Sequence, residues 1–138
     1  SENRASGAVV FDADYLPKEY HFTVKKTPIS QFKKDATFPA DSRAQLRWFA
    51  ARETKLLVDR MEMSKTEKPE EVVSNKKACF KQTISGKEFG FPLDKKYYLR
   101  FYQSESAFIS VIAWTIEKEA ASFDKIAQYM GMKIQWVD

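Results

Sequence analysis

Two aromatic and β-branched runs, three residues apart, constrain this chain more than any other feature. Tyr97 to Gln103 and Ala107 to Trp114 flank Ser104-Glu105-Ser106. Runs of that length around a short polar break predict an antiparallel hairpin. Ala78 to Ile84 alternates Ala78, Phe80 and Gln82 with Cys79, Lys81 and Thr83. Tyr20, Phe22 and Val24 likewise alternate with His21, Thr23 and Lys25. A period of two sends such side chains to opposite faces of a strand. Ala8 to Phe11 reads as a first strand ending at Asp12-Ala13-Asp14, with Pro17 in the turn that follows. Loops are expected around Ser85-Gly86-Lys87, around Gly90-Phe91-Pro92, and from Thr27 to Ala40, which holds Pro28 and Pro39.

Helical spacing occurs twice. Asp41 or Ser42 offers an N-cap oxygen, and Leu46, Phe49, Ala50, Leu57 and Met61 share the face beyond it. After Lys55 the sequence Leu57, Asp59, Met61, Met63 fits a strand equally well. Thr115 caps a second helix whose apolar face is Ile116, Ala120, Phe123, Ile126, Ala127 and Met130. Gly131 sits where a left-handed C-terminal residue belongs, and Met132, Ile134 and Trp136 alternate as a closing strand. Residues 1–7 read as a flexible tail, and 64–75, the most polar stretch, as a charged loop interrupted by Pro69. The expectation is one α+β domain over residues 1–138. A mainly antiparallel sheet of about five to seven strands would carry two helices packed on one face.

Composition excludes several alternatives. A chain of 138 residues has the length of one domain, and its 11 Phe, 6 Tyr and 3 Trp are too many for a disordered segment. A single cysteine, Cys79, rules out a disulfide scaffold. Ala107 to Trp114 is the longest apolar run and is already broken by Ser110. That is far short of the roughly 20 residues a membrane-spanning helix needs, so no membrane insertion is expected.

Catalytic constellations are sparse. His21 and Cys79 are the only residues of their kinds, so a Cys–His nucleophilic pair requires that these two meet. Asp12 and Asp14, two apart on an extended chain, share a side and suit a hard cation, but Asp is also an ordinary turn residue. Gly86 and Gly90 do not make a phosphate loop, and the inventory is too small for structural zinc. No cofactor or metal is implied, and a non-enzymatic binding module is the expectation.

One region stands out. All of the chain's excess positive charge lies between residues 76 and 100, where Lys76, Lys77, Lys81, Lys87, Lys95, Lys96 and Arg100 face only Glu88 and Asp94. Among them lie Phe80, Phe89, Phe91, Tyr97, Tyr98, Phe101 and Tyr102. Cations that follow phosphates and rings that stack on bases, at about 1–3 kcal/mol each, are how single-stranded nucleic acids are held. Alternation puts Tyr98, Arg100 and Tyr102 on one side of their strand and Tyr97, Leu99 and Phe101 in the core. The expected ligand-binding set is Lys81, Lys95, Lys96, Tyr98, Arg100 and Tyr102. A protein partner is the alternative, as for an exported inhibitor or immunity-type protein. Trp48, Trp114, Trp136, Phe38, Phe89 and Phe91 would then be its anchors.

Overall fold

A computed structural model describes residues 7–74 and 77–133. The elements run β1 (Ala8–Tyr15), β2 (Tyr20–Pro28), α1 (Ser42–Val58), β3 (Met61–Thr66), β4 (Glu70–Ser74), β5 (Lys77–Glu88), β6 (Lys95–Gln103), β7 (Ala107–Ile116) and α2 (Ala120–Lys133). Short 3-10 turns occupy Leu16–Lys18, Ile29–Phe32 and Glu117–Glu119. The strands form one seven-stranded antiparallel sheet ordered β1-β2-β7-β6-β5-β3, and β4 also pairs with β5. This is the α+β architecture the alternating runs predict. The β6–β7 hairpin at its centre pairs Tyr97 with Trp114 and Tyr102 with Ile109.

The two helices do not share a face, which corrects the expectation. Leu46, Phe49, Ala50 and Leu57 of α1 pack with Ile84, Tyr97, Leu99, Phe101 and Phe108. Phe123 and Ala127 of α2 pack instead with Phe22, Val24, Cys79, Tyr102, Ile109, Val111 and Ala113. Tyr97, Leu99 and Phe101 alternate with Tyr98, Arg100 and Tyr102, so the clusters lie on opposite sides of the sheet. The physical reason is in β7, whose residues from Ala107 to Val111 are all buried. A central strand apolar on both faces needs a cover on both.

Local chemistry fixes the helices. Asp41 is the N-cap of α1, its carboxylate accepting from the Ala44 amide at 3.0 Å. Lys55 and Asp59 pair at 3.0 Å one turn apart at the other end. Thr115, by contrast, is not a cap: it is a buried residue of β7, as is Ile116. Helix α2 continues through Gly131 to Lys133, so Met132 belongs to a helix. The expected strand positions Ile134 and Trp136 lie outside the described residues, as do residues 1–6 of the expected tail.

The expected charged loop at 64–75 is also corrected. Its described part forms the second half of β3 and all of β4, which run along the outer edge of β5 one after the other. Pro69 has no N–H to give the ladder, and it falls in the gap between them. Around that gap the Glu67 amide donates to the Thr83 carbonyl at 3.0 Å, and the Gln82 side chain donates to the Glu67 carbonyl at 2.5 Å. Ser85, Gly86 and Lys87 are strand, not loop, paired with β3. A Cβ at Gly86 would lie 2.2 Å from the Met63 carbonyl oxygen. Glycine is required there because the irregularity in β3 between Met61 and Met63 brings the two backbones together.

Candidate functional site

The sheet register decides which of the six expected ligand residues share a surface. Lys81 lies directly across from Arg100, Thr83 from Tyr98 and Ser85 from Lys96. Lys81, Lys96, Tyr98 and Arg100 therefore share the face covered by α2. All four line one cleft of about 360 Å³ between that helix and the β4 edge. Two like charges directly opposite in a sheet repel, and here Glu70 on β4 sits beside Lys81 and offsets part of that repulsion. Glu67, Glu70 and Asp124 also line the cleft. Among the described residues, none of Lys81, Lys96 and Arg100 has a carboxylate within ion-pair distance. The cleft is thus a mixed-charge groove with three cations that have no carboxylate partner, one of which, Lys96, lies over the Tyr98 ring.

The other two expected residues are corrected. Tyr102 is on the predicted side but only 1% exposed, enclosed in the α2 cluster with Phe123 and Cys79. Lys95 is on the opposite face, which its odd position beside Tyr97, Leu99 and Phe101 already dictates. It is 6% exposed, with its ammonium 4.1 Å from the Phe91 ring centre and 4.0 Å from that of Trp114. Glu88 pairs with it at 3.3 Å. Its charge is therefore used inside the fold.

Tyr98 is half-buried against Phe123, ring centres 5.7 Å apart, with its hydroxyl 3.4 Å from the Ala120 carbonyl. Burial and then the charge of Asp124 push its phenol well above the usual tyrosine range. The ring supports the helix, and the Lys96 ammonium lies over it at 5.3 Å from the ring centre.

Catalytic candidates separate. His21 stacks on Trp114 at 3.9 Å on the α1 face, whereas Cys79 belongs to the cluster under α2. The two never meet. His21 is held at Nδ1 by Asp14 at 2.5 Å and at Nε2 by Glu19 at 2.7 Å. Glu19 has a left-handed backbone, φ 53°, closing the turn after β1. Asp12 accepts from the Thr23 hydroxyl at 2.7 Å. Both aspartates lie on one side as spacing predicts, yet each is occupied by a neighbour on β2. Burial pushes the Cys79 thiol up, away from the reactive thiolate.

Of the expected partner anchors, most are internal. Phe38 and Trp48 pack edge to face at 5.0 Å beside Phe32, and Phe91 meets Trp114 edge-on. Phe89 stays 65% exposed; Trp136 lies outside the described residues. A surface that sequence reasoning passed over is β1, where no residue is buried. Val9 and Val10 are 57% and 58% exposed, and Phe11, Tyr15 and the following Leu16 are exposed as well. The run Val9-Val10-Phe11, with three apolar residues in succession at one end of the chain, was the available signal. A register shift between Val9 and Phe11 lets the run spread over both faces.

No family model matches the sequence, and no curated protein is similar to it. Solved structures do share its architecture. Protein PA94 of Pseudomonas aeruginosa, of unknown function with a suggested regulatory role, aligns with a TM-score of 0.68 and 12% identity over 96% of this chain and 85% of its own. LpqN, involved in cell envelope biogenesis of Mycobacterium tuberculosis, gives 0.59 and 12% over 88% of this chain, which spans 65% of LpqN. CyanoP, the cyanobacterial PsbP of Synechocystis, gives 0.60 and 10% over 92% of this chain and 74% of its own. At these identities the likeness is one of fold: an antiparallel α+β domain common to proteins with different descriptions.

Proposed function

We propose that this chain is a non-enzymatic binding module that takes an extended segment of a protein partner along the open edge of β1. The observation that carries this is the contrast between the two edges of the sheet. The far edge, β3 and β4, carries Glu62, Lys65, Glu70 and Glu71 and is interrupted at Pro69. Those are the devices that keep an edge from pairing with another chain. β1 has no lysine and no proline, and its Asp12 and Asp14 are taken by Thr23 and His21 of β2. Its one register shift falls between Val9 and Phe11, and among the described residues it pairs only with β2. Its outer amides and carbonyls are completed by another extended backbone, and its exposed Val9, Val10, Phe11 and Tyr15 give that backbone apolar side chains to cover. An inhibitor or immunity-type role is one form this takes.

Val9 and Val10 contact solvent rather than core, so Val9→Lys with Val10→Lys guards the edge at little cost to the fold. With the purified chain as bait in host extract, a partner should be retained by the wild type and lost from the double variant. Phe89→Ser should retain it. Equal retention by the double variant overturns the edge assignment.

The three cleft cations without a carboxylate partner favour a second reading, a single-stranded nucleic acid. Neutralising three phosphates costs about 20-fold in affinity between 50 and 200 mM salt. An edge-paired protein complex changes little over that range, which separates the two readings.

A further inference from the structure

We infer that the cavity beneath the C-terminal half of α1 is a binding site for an amphiphile with a singly charged carboxylate head and a medium-length aliphatic tail. The cavity has a volume of about 400 Å³, within the range of small-molecule sites. Its floor is the apolar strip Leu99, Phe101 and Ile112, and Leu56 and Leu57 of α1 form a wall. That apolar floor and wall take a hydrocarbon body, while Lys25, Glu53, Asp59, Arg60 and Tyr97 supply the polar part of the lining.

Two polar groups at this space lack a partner, Lys25 in its lining and Ser110 behind it. Lys25 lines it, half-buried, and among the described residues has no carboxylate within ion-pair distance. The acidic residues that share the lining are occupied elsewhere. Glu53 takes Arg52 at 2.7 Å, and Asp59 takes Lys55 at 3.0 Å. Arg60, the other cation of the lining, pairs with Glu88 at 3.4 Å. Burial pulls the Lys25 amine below the usual lysine range, and Glu53, opposing, does not make up the loss. An anion placed beside that amine favours its charged form and breaks no existing ion pair.

The second group is Ser110. It lies across the sheet from Lys25 on one side and from Phe101 on the other. It is 1% exposed, and its hydroxyl has no hydrogen-bond partner. Buried hydroxyls without a partner are uncommon and costly. The unpaired Lys25 ammonium in the lining matches the single charge of a carboxylate head, and a doubly charged phosphate would leave one charge uncompensated. Ser110 lies behind the lining and adds a polar group beside it. The assignment concerns the α1 face and stands independently of the reading of β1.

Calorimetric titration with decanoate below its micelle concentration tests this directly, with decanol and decyltrimethylammonium as head-group controls. Decanoate should bind at least tenfold more tightly than decanol, and the cationic amphiphile should not bind. Lys25→Met should lose at least tenfold for decanoate while leaving decanol unchanged, and Lys25→Arg should stay within a few-fold of wild type. Leu56→Trp, on the partly exposed helix wall, should fill the cavity and abolish binding of both. Thermal unfolding of each variant confirms that it is folded. Equal affinity for all three amphiphiles, or decanoate binding unaffected by Lys25→Met or by Leu56→Trp, overturns the assignment.

Discussion

Placing the helices on opposite faces makes a quantitative statement about coupling between their anchors. Phe49 of α1 is fully buried, stacked on Phe108 at 4.3 Å and 8°, and meets Phe32 and Phe101 at 5.8 and 5.9 Å. Phe123 of α2 meets Tyr20 at 4.7 Å and Tyr98 at 5.7 Å. Aromatic pairs contribute roughly 0.5–1.5 kcal/mol beyond their buried area. Phe49→Leu keeps most of the apolar area but forfeits three such pairs, a loss of about 2 kcal/mol. Phe123→Leu forfeits two, about 1.5 kcal/mol. The double variant then loses about 3.5 kcal/mol, which a domain of ordinary stability, about 5–15 kcal/mol, survives. The rings share no aromatic partner and the sheet lies between them, so the two losses should add to within about 0.5 kcal/mol. Urea unfolding of the four proteins measures this, with a common m-value as the check on two-state behaviour. Helices packed side by side on one face would share strand contacts. A coupling energy above about 1 kcal/mol would therefore refute the two-sided core.

Adjacent lysines of β6 should behave unlike each other. Lys95→Met breaks a buried pair with Glu88 and contacts with the rings of Phe91, Tyr97 and Trp114 and should cost about 2–3 kcal/mol in urea unfolding, whereas Lys96→Met should stay within about 0.5 kcal/mol of wild type. Equal costs would mean that they do not lie on opposite faces. Acid should also weaken the fold through Glu88. Burial raises this carboxyl, but the Tyr97 hydroxyl bond and the charges of Arg60 and Lys95 outweigh it and hold it below the usual glutamate range. A carboxyl depressed in the folded state stabilises it above the unfolded value of about 4.3, and that contribution is lost as pH falls through the folded value. Thermal midpoints measured below pH 4.3 should fall more steeply for wild type than for Glu88→Gln; parallel curves would remove Glu88 from the account.

Much of the fold is legible because alternation is a local signal. Tyr97, Leu99 and Phe101 announce a core face, Asp41 announces a helix start, and the Ser104-Glu105-Ser106 break announces a hairpin. What is not legible is whatever depends on a distant partner. β3 and β4 carry almost no apolar face, because an edge strand exposed on both sides has no need of one; their polarity therefore resembles that of a loop. The opposite placement of α2 is written only in the unbroken burial of β7, a run that equally suits a strand covered by another sheet. The exposure of β1 is marked only by the unalternating run Val9-Val10-Phe11, and that run reads as a core strand until the sheet order leaves β1 at its end.

The same logic explains why the basic and aromatic stripe from Lys81 to Tyr102 misleads as a stacking surface yet still marks a real cleft. In a strand covered on both faces, even positions are not free to point at solvent. Long cations reach past a covering helix to its rim with their stems buried. Aromatic rings at neighbouring positions are held beneath the helix. Arg100 and Lys96 follow the first course, and Tyr98 and Tyr102 the second. Covering a strand with a helix thus sorts an alternating basic and aromatic pattern by reach: charge comes out at the edge of α2, and most of the ring area stays beneath it. The aromatic ring in the cleft lining is Tyr98, with the Lys96 ammonium over it. The larger apolar surfaces, on which the two proposals above rest, are on β1 and under α1.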